Sequence, residues 1–256
     1  VSRWYGDARR PFPECDLAIL WGSLHPKYDA VCETLGGTPR WFVQHGWLPK
    51  GSTVQLDPVG YDATAGWAQD PPCIVDGGRL KVSGSPMMVA LQGDNYPGKD
   101  QFSPWFATVR EFVAHLAEWS GIPMVLRRHP AGSYDLDDIV ESCPLMTWDT
   151  HESVADSIAV ACAVATRHST VGLEAIAAGK PVLCYGNAVY RLPGVAYEMT
   201  ASGEYTALVT GMVARGHCML TTNGQRQALR WIKSHQWALD EFPAVLRERL
   251  WTLASL

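Results

Sequence analysis

The residues of this chain best suited to holding an anion or moving a proton fall just after short apolar runs. Arg127, Arg128 and His129 follow the run 123–126 and precede Pro130, which disfavours helix at His129 and keeps it extended. Two guanidiniums and an imidazole there form a compact cationic cluster, and guanidinium binds phosphate oxygens bidentately. His168, Ser169 and Thr170 follow the run 158–165 and open a helix-forming stretch that Gly179 stops. Ser169 or Thr170 is placed to cap that helix, whose positive dipole end and first N–H groups suit a phosphate. Gly172, one turn in, leaves room for close approach of a ligand or backbone. Glu174 lies too far along to cap and is set to meet a ribose or other polar group. Gln92, Asp94 and Asp100 occupy a polar loop, 92–100, after the run 87–91. Gln44 and His45 follow the run 41–43, and Tyr61 and Asp62 stand in a polar turn. The same residues also admit a plain structural reading: an ordinary capped helix, and a solvated loop whose arginines pair with Asp135, Asp137 and Asp138.

The elements that must carry these residues alternate. Residues 17–21 read as a buried strand, 28–35 as a helix stopped at Gly36–Gly37, and 41–43 as a strand with the loop 44–47 at its carboxyl end. That sequence is a βαβ unit, with 54–57 as a further short strand. Residues 64–85, rich in Gly, Pro and Asp, read as an interdomain linker. Beyond it, 87–91 and 123–126 are strands, 105–119 presents a helical apolar face, and 158–165 is a strand or short buried helix. A further helix after the His168–Thr170 turn leads to a strand at 181–185, and 225–253 reads as helical. Ligands of open α/β sheets bind at the carboxyl ends of strands, where all of these loops lie.

Composition sets the class. With 47% apolar and 18% charged residues the chain is globular, and 256 residues suffice for one large or two small domains. A net charge of -5 supplies no general attraction to nucleic acid or anionic membrane. The seven cysteines show neither CxxC pairs nor zinc spacing and read as free buried thiols of a reducing compartment. No apolar run reaches the roughly 18 residues of a membrane span, so the expected location is cytoplasmic, with peripheral attachment at an inner membrane face left open.

In their order and spacing these motifs resemble one family. Asp94 or Asp100 after Leu91-Gln92, Arg-His-Pro at 128–130, Ser-Thr-Val-Gly-Leu-Glu-Ala at 169–175 and Gly-Lys-Pro-Val at 179–182 look like bacterial capsule polysaccharide biosynthesis glycosyltransferases of the Kdo-transferase type. His-Gly-Trp-Leu-Pro at 45–49 and Asp-Pro-Val-Gly-Tyr-Asp-Ala at 57–63 are similar to that family's first-half segments. The resemblance implies an α/β, GT-B-like fold of two Rossmann-like domains facing across a cleft. The N-terminal, acceptor-side domain (1–80) is small, the nucleotide-sugar-binding domain spans 81–224, and the C-terminal helices (225–256) can cross back to the first. It implies transfer from a CMP-sugar such as CMP-Kdo to a hydroxyl of a glycan or glycolipid, with retention of configuration, no metal, and no cofactor beyond the nucleotide-sugar co-substrate. Asp94 is the implied nucleophile with Asp100 in reserve, and His45 is the group able to take the acceptor proton. Arg127, Arg128, His129, His168, Ser169, Thr170, Gly172 and Glu174 would surround the donor, and Gln44, Gln92, Tyr61 and Asp62 the rest of the cleft. Two departures stand out: Gln44-His45 replaces the family's acidic residue before Gly46, and His168 replaces its Asn. Transfer to a modified base of phage DNA and a non-catalytic sugar-nucleotide-binding module are the alternatives.

Overall fold

The computed structural model describes residues 18–21, 35–47, 50–57, 59, 65–74, 77–82, 86–94, 102–130 and 132–254. The chain forms two compact units, one of Val1–Pro71 with Ile232–Leu256 and the other of Pro72–Trp231.

The first unit holds a four-stranded sheet in the order β1-β2-β3-β10, made of β1 (Ala18–Trp21), β2 (Arg40–Trp47), β3 (Lys50–Asp57) and β10 (Trp237–Ala238). The β1–β2 pair is parallel, as a βαβ unit requires; of the helix expected at 28–35, only Leu35 is among the described residues. Residues 44–47 are not the loop their polarity predicts. They continue β2, which folds back antiparallel on β3 with Gln44 opposite Gln55 and His45 opposite Val54. The polar pair is accommodated because Gln55 Nε2 donates across the ladder to Gln44 Oε1 at 3.2 Å. The register shifts between His45 and Trp47. Gly46 fits there because a Cβ would lie 2.2 Å from Thr53 Oγ1 and 2.8 Å from Gln236 Oε1. Asp57 closes the hairpin's far end: its Oδ1 accepts the N–H groups of Val59 (2.7 Å) and Gly66 (2.9 Å).

The continuous helix expected over 225–253 is interrupted. Helix α6 (Thr222–Lys233) ends, β10 pairs antiparallel with β3, and α7 (Phe242–Ala254) follows. Gln236, between them, accepts the Trp47 N–H at 3.1 Å, and His235 stacks on Trp67 with ring centroids 4.5 Å apart.

The second unit is built on a six-stranded, all-parallel sheet of β4 (Met87–Ala90), β5 (Met124–Arg127), β6 (Met146–Trp148), β7 (Val164–Thr166), β8 (Val182–Cys184) and β9 (Tyr197–Glu198). Their order is β6-β5-β4-β7-β8-β9, which by rank within this unit is 3-2-1-4-5-6, the doubly wound dinucleotide-fold order. Strands β4, β7 and β8 are buried throughout, as strands covered on both faces must be, and so read as unbroken apolar runs.

Helix α1 (Val109–Trp119) packs Val109, Phe112, Val113 and Leu116 into the core, the i, i+3, i+4, i+7 face read from sequence. It begins at Val109 rather than 105 because Thr108 and Glu111 form a capping box there. Helices α2 (Asp137–Ser142), α3 (Val154–Val160), α4 (Val171–Ala177) and α5 (Gly203–Ala214) complete the unit. The run 158–165 is thus the end of α3 followed by the start of β7.

The family-like Gly-Lys-Pro-Val segment has a structural explanation. Gly179 takes the left-handed φ of 72° that ends α4, and Lys180 Nζ donates to the carbonyls of Ala159 (2.7 Å) and Ala161 (2.8 Å) at the end of α3. Cys162, Cys184 and Cys218 are buried thiols as expected, whereas Cys143 is half-buried and Cys73 exposed.

Candidate functional site at the switch between β4 and β7

In a 3-2-1-4-5-6 sheet the first and fourth strands lie side by side and their crossovers diverge, leaving a crevice beyond their carboxyl ends. Here those ends are Leu91–Asp94 after β4 and Arg167–Thr170 after β7, and side chains knit the two together. His168 donates its backbone N–H to Gln92 Oε1 at 3.0 Å, and Gln92 Nε2 lies 3.2 Å from His168 Nδ1. Arg167 Nη2 donates to the Gln92 carbonyl at 2.8 Å and to Asp94 Oδ1 at 2.9 Å. Asp94 Oδ1 also accepts the Val109 N–H at 2.8 Å, so this carboxylate ties the loop to the first turn of α1. The arginine side chain is 1% exposed and the aspartate 29%. A buried guanidinium is thus held on a carboxylate that still meets solvent.

Two further groups border it. Phe102 places its ring 5.3 Å from that of His168, and its carbonyl accepts the Asn187 N–H at 2.8 Å. Gly186 allows this seat, since a Cβ there would lie 2.2 Å from the Phe102 carbonyl oxygen. Tyr134 accepts the His129 N–H at 3.2 Å. Burial raises its phenol pKa; the His129 bond and the Arg167 charge oppose the rise, and the Asp94 charge adds to it.

His168 is electrically silent. Burial, together with the neighbouring Arg167 charge, lowers its pKa to about 3, so at neutral pH its ring is uncharged. A neutral imidazole bonded to Gln92 acts as a polar, uncharged group, as an Asn would, and adds no positive charge for an anion.

The cationic cluster read at 127–129 is dispersed. Arg127 turns to the end of β6, bonding Asp149 Oδ2 at 2.9 Å, the His151 carbonyl at 2.7 Å and Ser157 Oγ at 3.1 Å. Burial alone would raise the Asp149 carboxyl, but hydrogen bonds from Ser157, the His151 N–H, Arg127 and the His151 ring hold it well below the usual carboxylate range. Arg128 lies over the Trp148 ring at 3.6 Å and approaches Asp137 at 3.6 Å. Neither arginine's contacts involve the turn at Ser169. The alternative of arginine–aspartate pairing holds for Arg128 with Asp137, while Asp138 pairs instead with Arg110. His129 stays exposed.

The helix start at 169–171 is more self-contained than its sequence indicates. Ser169 Oγ accepts the Val171 N–H at 3.2 Å, whereas the Thr170 side chain makes no cap bond. The Gly172 N–H goes to the Ser169 carbonyl and the Leu173 N–H to that of Thr170, both at 2.9 Å, so the first-turn amides are engaged within the turn. Gly172 makes room for protein rather than ligand, because a Cβ would lie 2.4 Å from Cζ and from Oη of Tyr190, whose hydroxyl donates to the Ser169 carbonyl at 2.6 Å. Glu174 is half-buried in the first turn of α4.

Gln44 is half-buried and His45 exposed, both on β2 of the other unit. Tyr61, Asp62 and Asp100 lie outside the described residues. Of the sequence candidates the fold thus gathers Gln92, Asp94, His168 and Ser169 at these two strand ends. Sequence reading passed over Arg167, Phe102 and Tyr134. The available signal for Arg167 was a charge directly after an apolar strand, where burial demands a partner carboxylate. Among the described residues, no group of three or more His, Cys, Asp or Glu is arranged to hold a metal ion.

Comparison with known proteins finds a likeness over this same region. Residues 156–211, from α3 through most of α5, match the family described as capsule polysaccharide biosynthesis protein. Protein FixF of Sinorhizobium fredii (strain NBRC 101917 / NGR234) is 26% identical over 216 residues, covering 75% of this chain and 53% of FixF, so the chain spans about half that relative's length. Among solved structures, Thermosulfurimonas dismutans KpsC, beta Kdo 2,7 transferase, is 19% identical, with 84% of each chain covered and a TM-score of 0.54. The same organism's KpsC, beta Kdo 2,4 transferase, is 14% identical, with 82% of this chain and 78% of that one covered and a TM-score of 0.48. A stretch of the chain thus resembles the capsule polysaccharide biosynthesis family, and the chain shares an α/β fold with the first of these structures. No described helix is long and apolar enough to cross a membrane.

Proposed function

Starting from kinship with the capsule polysaccharide biosynthesis proteins, we propose that this chain is a glycosyltransferase. It moves a sugar from a nucleotide-sugar donor, with a CMP-sugar such as CMP-Kdo favoured, to a hydroxyl of a glycan or glycolipid, with retention of configuration. The carrying observation is the convergence of Gln92, Asp94, Arg167 and His168 at the β4–β7 switch point, half of it supplied by the segment that matches the family. Among the matched structures, two are KpsC Kdo transferases by name, which supports the sugar class as a reading.

Asp94 is the group proposed to meet the anomeric carbon. Its Oδ1 is anchored by two donors while the side chain remains partly open to solvent. In the proposed first step the carboxylate attacks as the bond to the donor phosphate breaks, and CMP leaves with the bonding electrons. In the second, the acceptor hydroxyl displaces the Asp94 carboxylate, its proton passing to solvent water, and two inversions give retention. The uncharged Gln92–His168 pair and the Ser169–Thr170 turn border the donor, and the α4 dipole favours the negative charge of the leaving group.

The test is to incubate the chain with CMP-Kdo and oligosaccharide or glycolipid acceptors, following CMP release and the acceptor mass. Acceptor-dependent CMP release with a matching mass gain is expected. Binding of CMP without release in the presence of any acceptor would identify a non-catalytic module instead.

A further inference from the structure

We infer that Arg167 is a positioning residue that sets Asp94 and the loop 92–94 for reaction, acting through its bonds rather than by touching substrate. One nitrogen, Nη2, reaches both the Gln92 carbonyl (2.8 Å) and Asp94 Oδ1 (2.9 Å), and it lies 3.5 Å from the Gly93 carbonyl. Three successive loop residues are therefore referred to one guanidinium, which follows β7 directly and is 1% exposed. Strands β4 and β7 are neighbours in register, with Ala90 opposite Thr166, so the loop is clamped across the very seam where the ligand crevice opens.

The clamp extends beyond the loop. The Asp94 oxygen that accepts from Arg167 also accepts the Val109 N–H, the first residue of α1. Strand β7, loop 92–94 and helix α1 are thus joined at a single oxygen atom. A buried charge so placed is costly unless its carboxylate partner is held in turn, so each member fixes the others. Lysine is a poor replacement because its flexible stem loses more freedom for each bond formed, whereas the rigid guanidinium plane holds Nη2 in a fixed direction. What the clamp supplies is orientation. A carboxylate that swings by an ångström loses orders of magnitude in rate with little loss of donor binding.

The positional half of this inference is independent of the reaction; only its catalytic half rests on the transferase reading. The experiment therefore uses two readouts on the full chain carrying Arg167→Ala or Arg167→Lys. The first is amide hydrogen exchange at Val109, measured by NMR. We expect it to accelerate at least tenfold in both variants relative to amides at the far end of α1. The second is turnover per CMP-binding molecule, where kcat is expected to fall about 100-fold with the donor KM within threefold. Millimolar guanidinium should restore part of kcat to the alanine variant and none to the lysine variant. If the alanine variant does not fold, the lysine variant carries both readouts. Unchanged Val109 exchange in a folded variant overturns the inference whatever the activity. Faster exchange in the variants, with a wild-type chain that transfers no sugar, leaves the clamp standing and removes the transferase reading instead. Equal proportional loss of donor binding and kcat would show a merely structural residue and also overturn the inference.

Discussion

Replacing Asp94 separates its charge from its shape, and the structure allows the two costs to be apportioned. In Asp94→Asn the amide oxygen can still accept from Val109 and from Arg167, so the change removes the charge alone. At 2.9 Å and an effective dielectric near 20, the gross attraction to Arg167 is about 6 kcal/mol. Most of that is offset by desolvation. Breaking a buried pair costs about 3–5 kcal/mol and an exposed one about 0–1, so a pair with one buried and one 29% exposed member belongs near 2 kcal/mol. Asp94→Ala also strands the Val109 N–H, adding about 1 kcal/mol, the usual effect of a lost N-terminal acceptor. With a urea slope of about 2–3 kcal/mol per molar, the midpoint of the second unit should fall by about 0.7–1 M for asparagine and about 1–1.5 M for alanine. Far-UV circular dichroism in urea, paired with CMP-release kinetics on the same samples, is the assay. The asparagine variant should bind CMP within about threefold of wild type and transfer sugar at under about 1% of its rate. An alanine variant that unfolds at the wild-type midpoint would refute the anchoring of Asp94. A folded asparagine variant retaining a tenth of the activity would remove Asp94 as nucleophile.

Three further outcomes follow from the same coordinates. Gly172→Ala forces a Cβ to within 2.4 Å of the Tyr190 ring and should destabilise by about 1–3 kcal/mol; a double-mutant cycle by thermal melting should show a smaller penalty in a Tyr190→Leu background. Asp149 has a folded pKa below its unfolded value of about 3.9, so its contribution is full above that pH and lost as pH falls through the folded value. Asp149→Asn should therefore lower the urea midpoint at pH 7, and this loss should shrink only gradually as pH falls below about 4 toward the folded value. His168, lowered to about 3, is protonated in the unfolded chain below about pH 6.5 but stays neutral when folded. It thus opposes folding increasingly as pH falls from 7 toward 3, and His168→Asn should flatten the decline of the urea midpoint over that range.

Much of the second unit is legible in sequence because its strands are buried on both faces and its helices carry their own punctuation. The run 87–91, the Thr108–Glu111 box and Gly179 each have a single structural outcome. The first unit is harder. Gln44 looks like a loop residue because its polarity is met by a cross-strand partner, Gln55, that no local window contains. Trp237–Ala238 looks like mid-helix because its partner, Val54–Thr53, lies some 180 residues earlier. The candidate site was half visible for the same reason. Gln92, Asp94, His168 and Ser169 stand where strand ends place them, but arginine directions depend on carboxylates that only the tertiary fold assigns. Arg127 was claimed by Asp149 after β6, and the unremarked Arg167 by Asp94.

A crystal structure with CMP bound tests the donor assignment most directly. The nucleotide phosphate should lie within hydrogen-bonding reach of the 168–170 turn, with Gln92 and Asp94 facing the position the sugar would occupy. A nucleotide seated on the Arg127–Asp149 side of the sheet, or no nucleotide at a concentration that saturates binding in solution, would contradict it.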